Sequence, residues 1–161
     1  VNNFKQIESL AWDWFSIKRR LEEADKSGVC TCASCGRLDY WHNMDAGHFI
    51  PRANKNLKFH SMNVWPQCAQ CNNWNRNDPD VHDRFSDYIL KKRGAQEVLN
   101  IWRISKTQKT FEGGAMAYRA MVRAALPVFK DDALARADEL GIDLKSCYSP
   151  KRWKDLNRSV K

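Results

Sequence analysis

Two Cys-x-x-Cys pairs, Cys32/Cys35 and Cys68/Cys71, bracket the middle of this 161-residue chain. Four soft thiolates arranged in two pairs can close a tetrahedral zinc site, and a metal held that way pins both ends of whatever lies between them. The insert, Gly36 to Gln67, is 32 residues long, whereas common zinc ribbons leave about 15–20. It must therefore fold into structure of its own. Gly36, directly after Cys35, supplies the tight turn that such a knuckle needs. Cys30 and Cys147 are left over, and Cys30 reads as a core residue rather than a ligand.

The partner class follows from charge. Lys plus Arg number 27 against 19 Asp plus Glu, a net +8 at pH 7, and an excess of this size points to a polyanion such as nucleic acid. No apolar run reaches the ~18 residues of a membrane span. Asn3, Lys5 and Glu8 interrupt the apolar residues at the amino end, so no signal peptide is legible. Both readings favour the cytoplasm, where paired cysteines bind metal more often than they form disulfides.

Residues 4–25 read as a helix with an apolar stripe of Phe4, Ile7, Leu10, Trp14, Ile17 and Leu21, and with Lys18, Arg19 and Arg20 on its polar side. Strands are expected at 29–32, 45–51 and 63–65, with a loop over 52–58 and a helix opening at Cys68 and running to Arg76. Asp78-Pro79 starts a helix that Gly94 ends. Further helices are expected over 95–105, over 111–126 with a stop before Pro127, over 131–140, and from Ser149-Pro150. With no repeat and no linker, the chain reads as one domain, 1–161. It comprises an N-terminal helix (1–28), a zinc-bearing core (29–94) and a helical extension (95–161).

The insert carries a Gly-His pair, Gly47-His48, and Asn72 follows the second knuckle directly. Phosphodiester hydrolysis needs an activated water, charge stabilisation at phosphorus and help for the leaving 3′ oxygen. A histidine of ordinary pKa ~6.5 suits the base role at neutral pH. One hard cation with few protein ligands, Mg2+ or Mn2+, suits the rest. His48 is the candidate base, Asn72 a neutral oxygen ligand and Asp45 an anionic one. A β-hairpin pinned by zinc against the helix near Cys68 gives the expected fold class. That class is α+β, mainly α, with a ββα-metal core of the HNH or His-Me finger type flanked by an N-terminal helix and C-terminal helices. In that motif Asn63 takes the middle position and braces the loop.

Several stretches together resemble the lambdoid phage NinG/Rap family of recombination nucleases: Trp14-Phe15-Ser16, Cys32-Ala33-Ser34-Cys35-Gly36, Ala46 to Pro51, Asn63 to Cys68, Cys71-Asn72 and Leu90 to Gly94. The resemblance spans roughly residues 10–125. It implies a structure-specific endonuclease that cuts branched DNA such as Holliday junctions and D-loops. A more distant likeness to the phage endonuclease VII class of resolvases also implies a metal-ligating asparagine after the last zinc cysteine, at Asn72. The chain departs from the family pattern at Asp45, His60 and Trp65, where a non-acidic residue, an aspartate and a histidine are more usual.

Arg52, Lys55 and Lys58 follow the Gly-His strand closely and are expected to contact phosphates. His42 and His82 are read as surface residues, and Trp41, Trp65 and Trp74 as shields of the zinc centre, with wedging into a distorted DNA junction as the other reading. Symmetric cutting of a four-way junction favours a homodimer. A zinc-stapled DNA-binding module without catalysis stays open as the alternative.

Overall fold

The structure, a computed structural model, describes residues 3–108 and 110–159; positions 1, 2, 109, 160 and 161, which the expected domain limits include, lie outside the described residues. Helix α1 (Phe4–Glu22) starts where the Asn3 side chain accepts the Lys5 N–H. Its stripe of Leu10, Trp14, Ile17 and Leu21 is buried in the main core with Cys30, Trp41, Met44 and Ala133. The helix stops three residues short of the expected end. The Asp25 carboxylate takes the N–H groups of Ser27 (2.8 Å) and Val29 (3.0 Å), and Gly28 at φ +76° turns the chain.

Strands β1 (Val29–Thr31) and β2 (Leu38–Tyr40) pair antiparallel, with Cys30 opposite Asp39. No β2 was expected: three residues are too few to show alternation, and Leu38 is 66% exposed. The knuckle itself creates this hairpin. Gly36 sits at φ +75°, and Cys32 gives its N–H to the Arg37 carbonyl at 2.8 Å.

Strands β3 (Asp45–His48) and β4 (Val64–Gln67) form the second antiparallel pair, in the register Asp45–Gln67, Ala46–Pro66, Gly47–Trp65, His48–Val64. Gly47 has a steric cause. A Cβ there would lie 1.8 Å from the Gln67 Oε1, and that amide is buried and donates to the Ser34 hydroxyl at 2.7 Å. The second hairpin is thereby tied to the first knuckle, as it is again where Ala33 N–H meets the Pro66 carbonyl at 2.9 Å.

Arg19 corrects the reading of the basic triplet as a polar face. It is only 3% exposed, donates to the Val64 carbonyl at 3.0 Å, pairs with Glu22 and Glu23, and lies over the Trp65 ring. It clamps α1 onto β4. Arg20 likewise donates to the Met44 (2.8 Å) and Trp41 (3.3 Å) carbonyls.

The helix expected over Cys68–Arg76 is instead a single π-helical turn, Gln70–Trp74. Helix α2 (Pro79–Arg93) then begins afresh at the Asp78 cap, and Gly94 (φ +86°) separates it from α3 (Ala95–Thr107). Helix α4 runs unbroken from Gly114 to Glu139 with Pro127 inside it, where two helices had been expected. Proline in a helix interior costs ~3 kcal/mol or more. Burial of Tyr118 and Val122 before it, and of Ala133 and Ala137 after it, against α1 and the core offsets that cost. The short α5 (Pro150–Leu156) is capped by Ser149 and returns to α1, where the Trp14 indole N–H donates to the Leu156 carbonyl at 3.0 Å. The result is a mostly helical α+β chain with two small antiparallel sheets. Among the described residues no helix is long and apolar enough to cross a membrane.

Candidate metal centre and adjoining cleft

The four paired cysteines converge. Their sulfurs all lie within 4.8 Å of one another, with Cys32–Cys68 and Cys35–Cys68 both at 3.8 Å. A Zn–S bond of ~2.3 Å puts tetrahedral sulfurs ~3.8 Å apart, so the cluster has the dimensions of a zinc cage and could hold that ion. Cys32, Cys68 and Cys71 are buried, and Cys35 faces outward. Burial and neighbouring sulfurs push the Cys71 thiol up, and burial raises Cys35. Without a cation, the cage resists carrying several thiolates at once. Cys30 stands outside it, its thiol pushed up to about 12 chiefly by burial and donating to the Arg20 carbonyl.

Beside the cage opens a cleft of about 930 Å³, walled by α1, β3, the π turn, α2 and α3. His48 and Asp45 line it from β3, Asn72 and Asn73 from the π turn. The His48 Nε2 lies 3.0 Å from the Lys58 carbonyl. A carbonyl can only accept, so Nε2 carries the hydrogen and Nδ1 keeps a free lone pair. Trp12 stacks on the imidazole, with centroids 4.6 Å apart and planes at 21°. Burial pushes the His48 pKa down to about 4. The Lys58 carbonyl opposes that shift, while the charges of Arg52 and Lys58 add to it. The ring is therefore neutral at pH 7.

The Asp45 carboxylate accepts from the Asn72 amide at 3.0 Å and from the Asn73 amide at 2.8 Å, so the structure brings Asp45 and Asn72 together. Asn63 is fully buried. Its amide donates to the Ile50 (2.9 Å) and Leu57 (3.0 Å) carbonyls, and its oxygen accepts the Ile50 N–H at 2.7 Å. It holds the loop after β3 against the start of β4. His60 takes no place in the cleft lining; its Nδ1 accepts the Met62 N–H at 3.3 Å, and burial lowers its pKa. Trp65, also buried, donates its indole N–H to the Met62 carbonyl.

The three basic residues expected at phosphates are placed differently from one another. Lys58 and Lys55 both reach the Glu8 carboxylate, at 2.8 and 2.9 Å, and the Tyr118 hydroxyl donates to the same oxygen. Burial alone would raise the Glu8 pKa, but the bonds from Lys58, Tyr118 and Lys55 prevail and hold it at about 2. Arg52 is exposed and makes no ion pair among the described residues. With Trp12 it lines both the His48 cleft and a smaller one of about 420 Å³ over Glu8, Lys55 and Lys58.

Three cleft residues were missed from sequence. Trp12 lies off the apolar stripe of α1, and an aromatic residue on the polar side of an amphipathic helix was the available signal. His82 stacks on Phe49 at 4.6 Å and lines the cleft, so it is more than a surface histidine; Trp102 packs on the same ring from α3. Nothing local marks these two. Of the three tryptophans read as shields, Trp41 and Trp65 are buried, whereas Trp74 is 78% exposed and covers nothing.

No curated protein and no solved structure gives a significant match to the chain. A family model does, over residues 16–126, more than half of the chain and including the cysteine cage and most of the cleft. The chain belongs to the Bacteriophage Lambda NinG protein family.

Proposed function

We propose that this chain is a divalent-metal-dependent DNA endonuclease with a structural zinc, acting on branched DNA, and that its core is a ββα-metal site of the HNH type. The observation that carries the reading is the state of His48: neutral at pH 7, its tautomer set by the Lys58 carbonyl, with Nδ1 free in an open cleft lined by Asp45 and Asn72. A neutral imidazole so placed can take a proton from water; at a pKa of about 4 it is a weaker base than an ordinary histidine, so its position rather than its basicity carries the role.

In the proposed reaction His48 Nδ1 takes a proton from a water molecule as its oxygen attacks phosphorus. The bond to the 3′ oxygen breaks, leaving a 5′-phosphate and a 3′-hydroxyl once solvent has protonated that oxygen. Asp45 and Asn72 would hold the Mg2+ or Mn2+, which when bound neutralises charge on the phosphate and on the leaving oxygen. Their fit rests on spacing. The Asp45 carboxylate oxygen and the Asn72 amide atom are 3.0 Å apart, and neighbouring oxygens around octahedral Mg2+ are ~2.9 Å apart for bonds of 2.0–2.1 Å. An amide flip converts the hydrogen bond into two oxygen ligands. Among the described residues the cleft supplies no cluster of three or more acidic or histidine ligands, so the rest of the shell would be water and phosphate, as suits Mg2+. Asn63 positions the loop that supplies the Lys58 carbonyl. Arg52, and Lys55 and Lys58 once released from Glu8, would contact the backbone. A two-fold dimer would place two such sites on a four-way junction.

The test is nicking of plasmid and of a branched substrate by zinc-loaded protein. Activity that requires added Mg2+ or Mn2+ and is absent when neither is supplied, with zinc content unchanged, is expected. Binding without cleavage under every metal condition would favour the zinc-stapled binding module.

A further inference from the structure

Trp74 is placed unlike every other tryptophan. Trp12, Trp14, Trp41, Trp65, Trp102 and Trp153 each lie against another ring; Trp74 lies against none among the described residues and is 78% exposed. Its position is nevertheless fixed. It ends the π turn that follows Cys68, and that turn is closed by the Asn75 N–H on the Gln70 carbonyl at 2.8 Å. Immediately before it, the Asn72 and Asn73 amides are tied to Asp45 at the cleft wall.

The surroundings indicate what such a ring meets. Asn72, Asn73, Asn75, Arg76 and Asn77 flank it, and Arg76 is exposed, lines the cleft and makes no ion pair among the described residues. A tryptophan that anchors a protein partner sits within an apolar patch from which water is excluded. This one sits among amides and a free cation, the surface that accompanies base stacking in single-strand binding, where a ring meets the π face and cations track the backbone. In duplex DNA both faces of each base are already covered. Only an unpaired or splayed base offers one.

We propose that Trp74 stacks on an unpaired base of DNA whose backbone enters the His48 cleft, so that unpaired positions rather than continuous duplex are what this face selects. The inference rests on the cleft being a DNA site, as proposed above, and not on hydrolysis.

The experiment is a double-mutant cycle with zinc-loaded protein and no added Mg2+ or Mn2+. Wild type, Trp74→Ala and Trp74→Phe are titrated with a duplex carrying one unpaired adenine, the same duplex with an abasic site there, and the fully paired duplex. Removing the base should weaken wild-type binding about tenfold, leave Trp74→Ala unaffected, and weaken Trp74→Phe by an intermediate amount. Zinc content and thermal midpoint should match across the three proteins, since the ring is exposed. Equal sensitivity of wild type and Trp74→Ala to base loss overturns the proposal. So does a Trp74→Ala variant that loses only self-association, and so does a wild type that binds none of the DNAs. The same proteins are then assayed with Mg2+ or Mn2+. A coupled cycle without cleavage sinks the hydrolytic reading and leaves stacking intact; cleavage without coupling does the reverse.

Discussion

The cysteine cage and the His48 cleft share one hairpin but are made of opposite materials. The cage is four soft sulfurs, three of them buried, drawn to within 4.8 Å of one another. The cleft is an open volume of about 930 Å³ lined by a carboxylate, amides and the imidazoles of His48 and His82. A closed sulfur site leaves no coordination position for substrate and contributes to folding. An open oxygen-and-nitrogen site leaves room for water, a hard cation and a phosphate. On the proposed function, stability belongs to the cage and chemistry to the cleft, and a zinc in the cage would explain why β3 and β4 can be only four residues long. A short hairpin is marginal in water, and here the cage, the Gln67–Ser34 bond and the Arg19 clamp hold it.

The sharpest way to break this division is to remove zinc. Structural zinc in finger peptides is worth on the order of 10–16 kcal/mol of apparent binding free energy, as large as the ~5–15 kcal/mol net stability of a typical domain. Strong chelation, or Cys68→Ser, should abolish cooperative unfolding followed by circular dichroism, and intact protein should hold one zinc per chain. A chain that melts cooperatively with no zinc would show the cage is not its staple.

A smaller effect separates the cleft from the cage by pH. The His48 pKa is depressed to about 4 against the ordinary 6.5. The unfolded chain therefore takes up a proton between those values while the folded one does not. This contribution to stability is complete above about 6.5 and is lost progressively as pH falls to about 4. For the same reason kcat/KM of the free enzyme should stay level well below pH 6 before its acid limb appears. Trp12→Ala, by opening one face of the imidazole to water, should move that limb upward toward 6.5 and lower activity at pH 6 by up to about fourfold, with zinc content unchanged. An acid limb near 6.5 in wild type would show that burial does not control the base.

The smallest effect belongs to Glu8. Its carboxylate, held near pKa 2, stabilises the chain above about pH 4.5, and that contribution is lost as pH falls through about 2. Glu8→Gln should release Lys55 and Lys58, raising DNA affinity a few-fold at low salt and steepening the salt dependence by about one phosphate contact. Unchanged affinity and salt dependence would remove both lysines from the DNA surface.

What could be read from sequence was what is local. The cysteine spacing and the Gly36 turn are short-range patterns with steric or ligand-chemical causes, and the helix starts at Asp78 and Ser149 are set by their own caps; the strand expected at 63–65 was found one residue on and longer, as Val64–Gln67. What escaped depends on packing between distant segments. Pro127 signals a stop, yet the helix continues because residues on both sides of it are buried. Arg19 and Arg20 look like a polar face, yet they serve as the seam to the second hairpin. Trp12 over His48 joins α1 to β3, and His82 meets Phe49 only once α2 has folded back across the cleft. The Lys58 side chain was expected at a phosphate and in this structure reaches Glu8, whereas the role the Lys58 carbonyl takes, fixing the His48 tautomer, cannot be read from a side chain at all.

The most direct test of the central claim is cleavage of a labelled four-way junction beside the matching linear duplex, with Mg2+ or Mn2+, by wild type and by His48→Ala. Junction-selective cutting by wild type and a loss of about 100- to 10,000-fold in His48→Ala are expected, with zinc content and junction affinity unchanged. Equal cutting by the two proteins would remove His48 as the base, and a wild type that binds the junction without ever cutting it would contradict the nuclease reading itself.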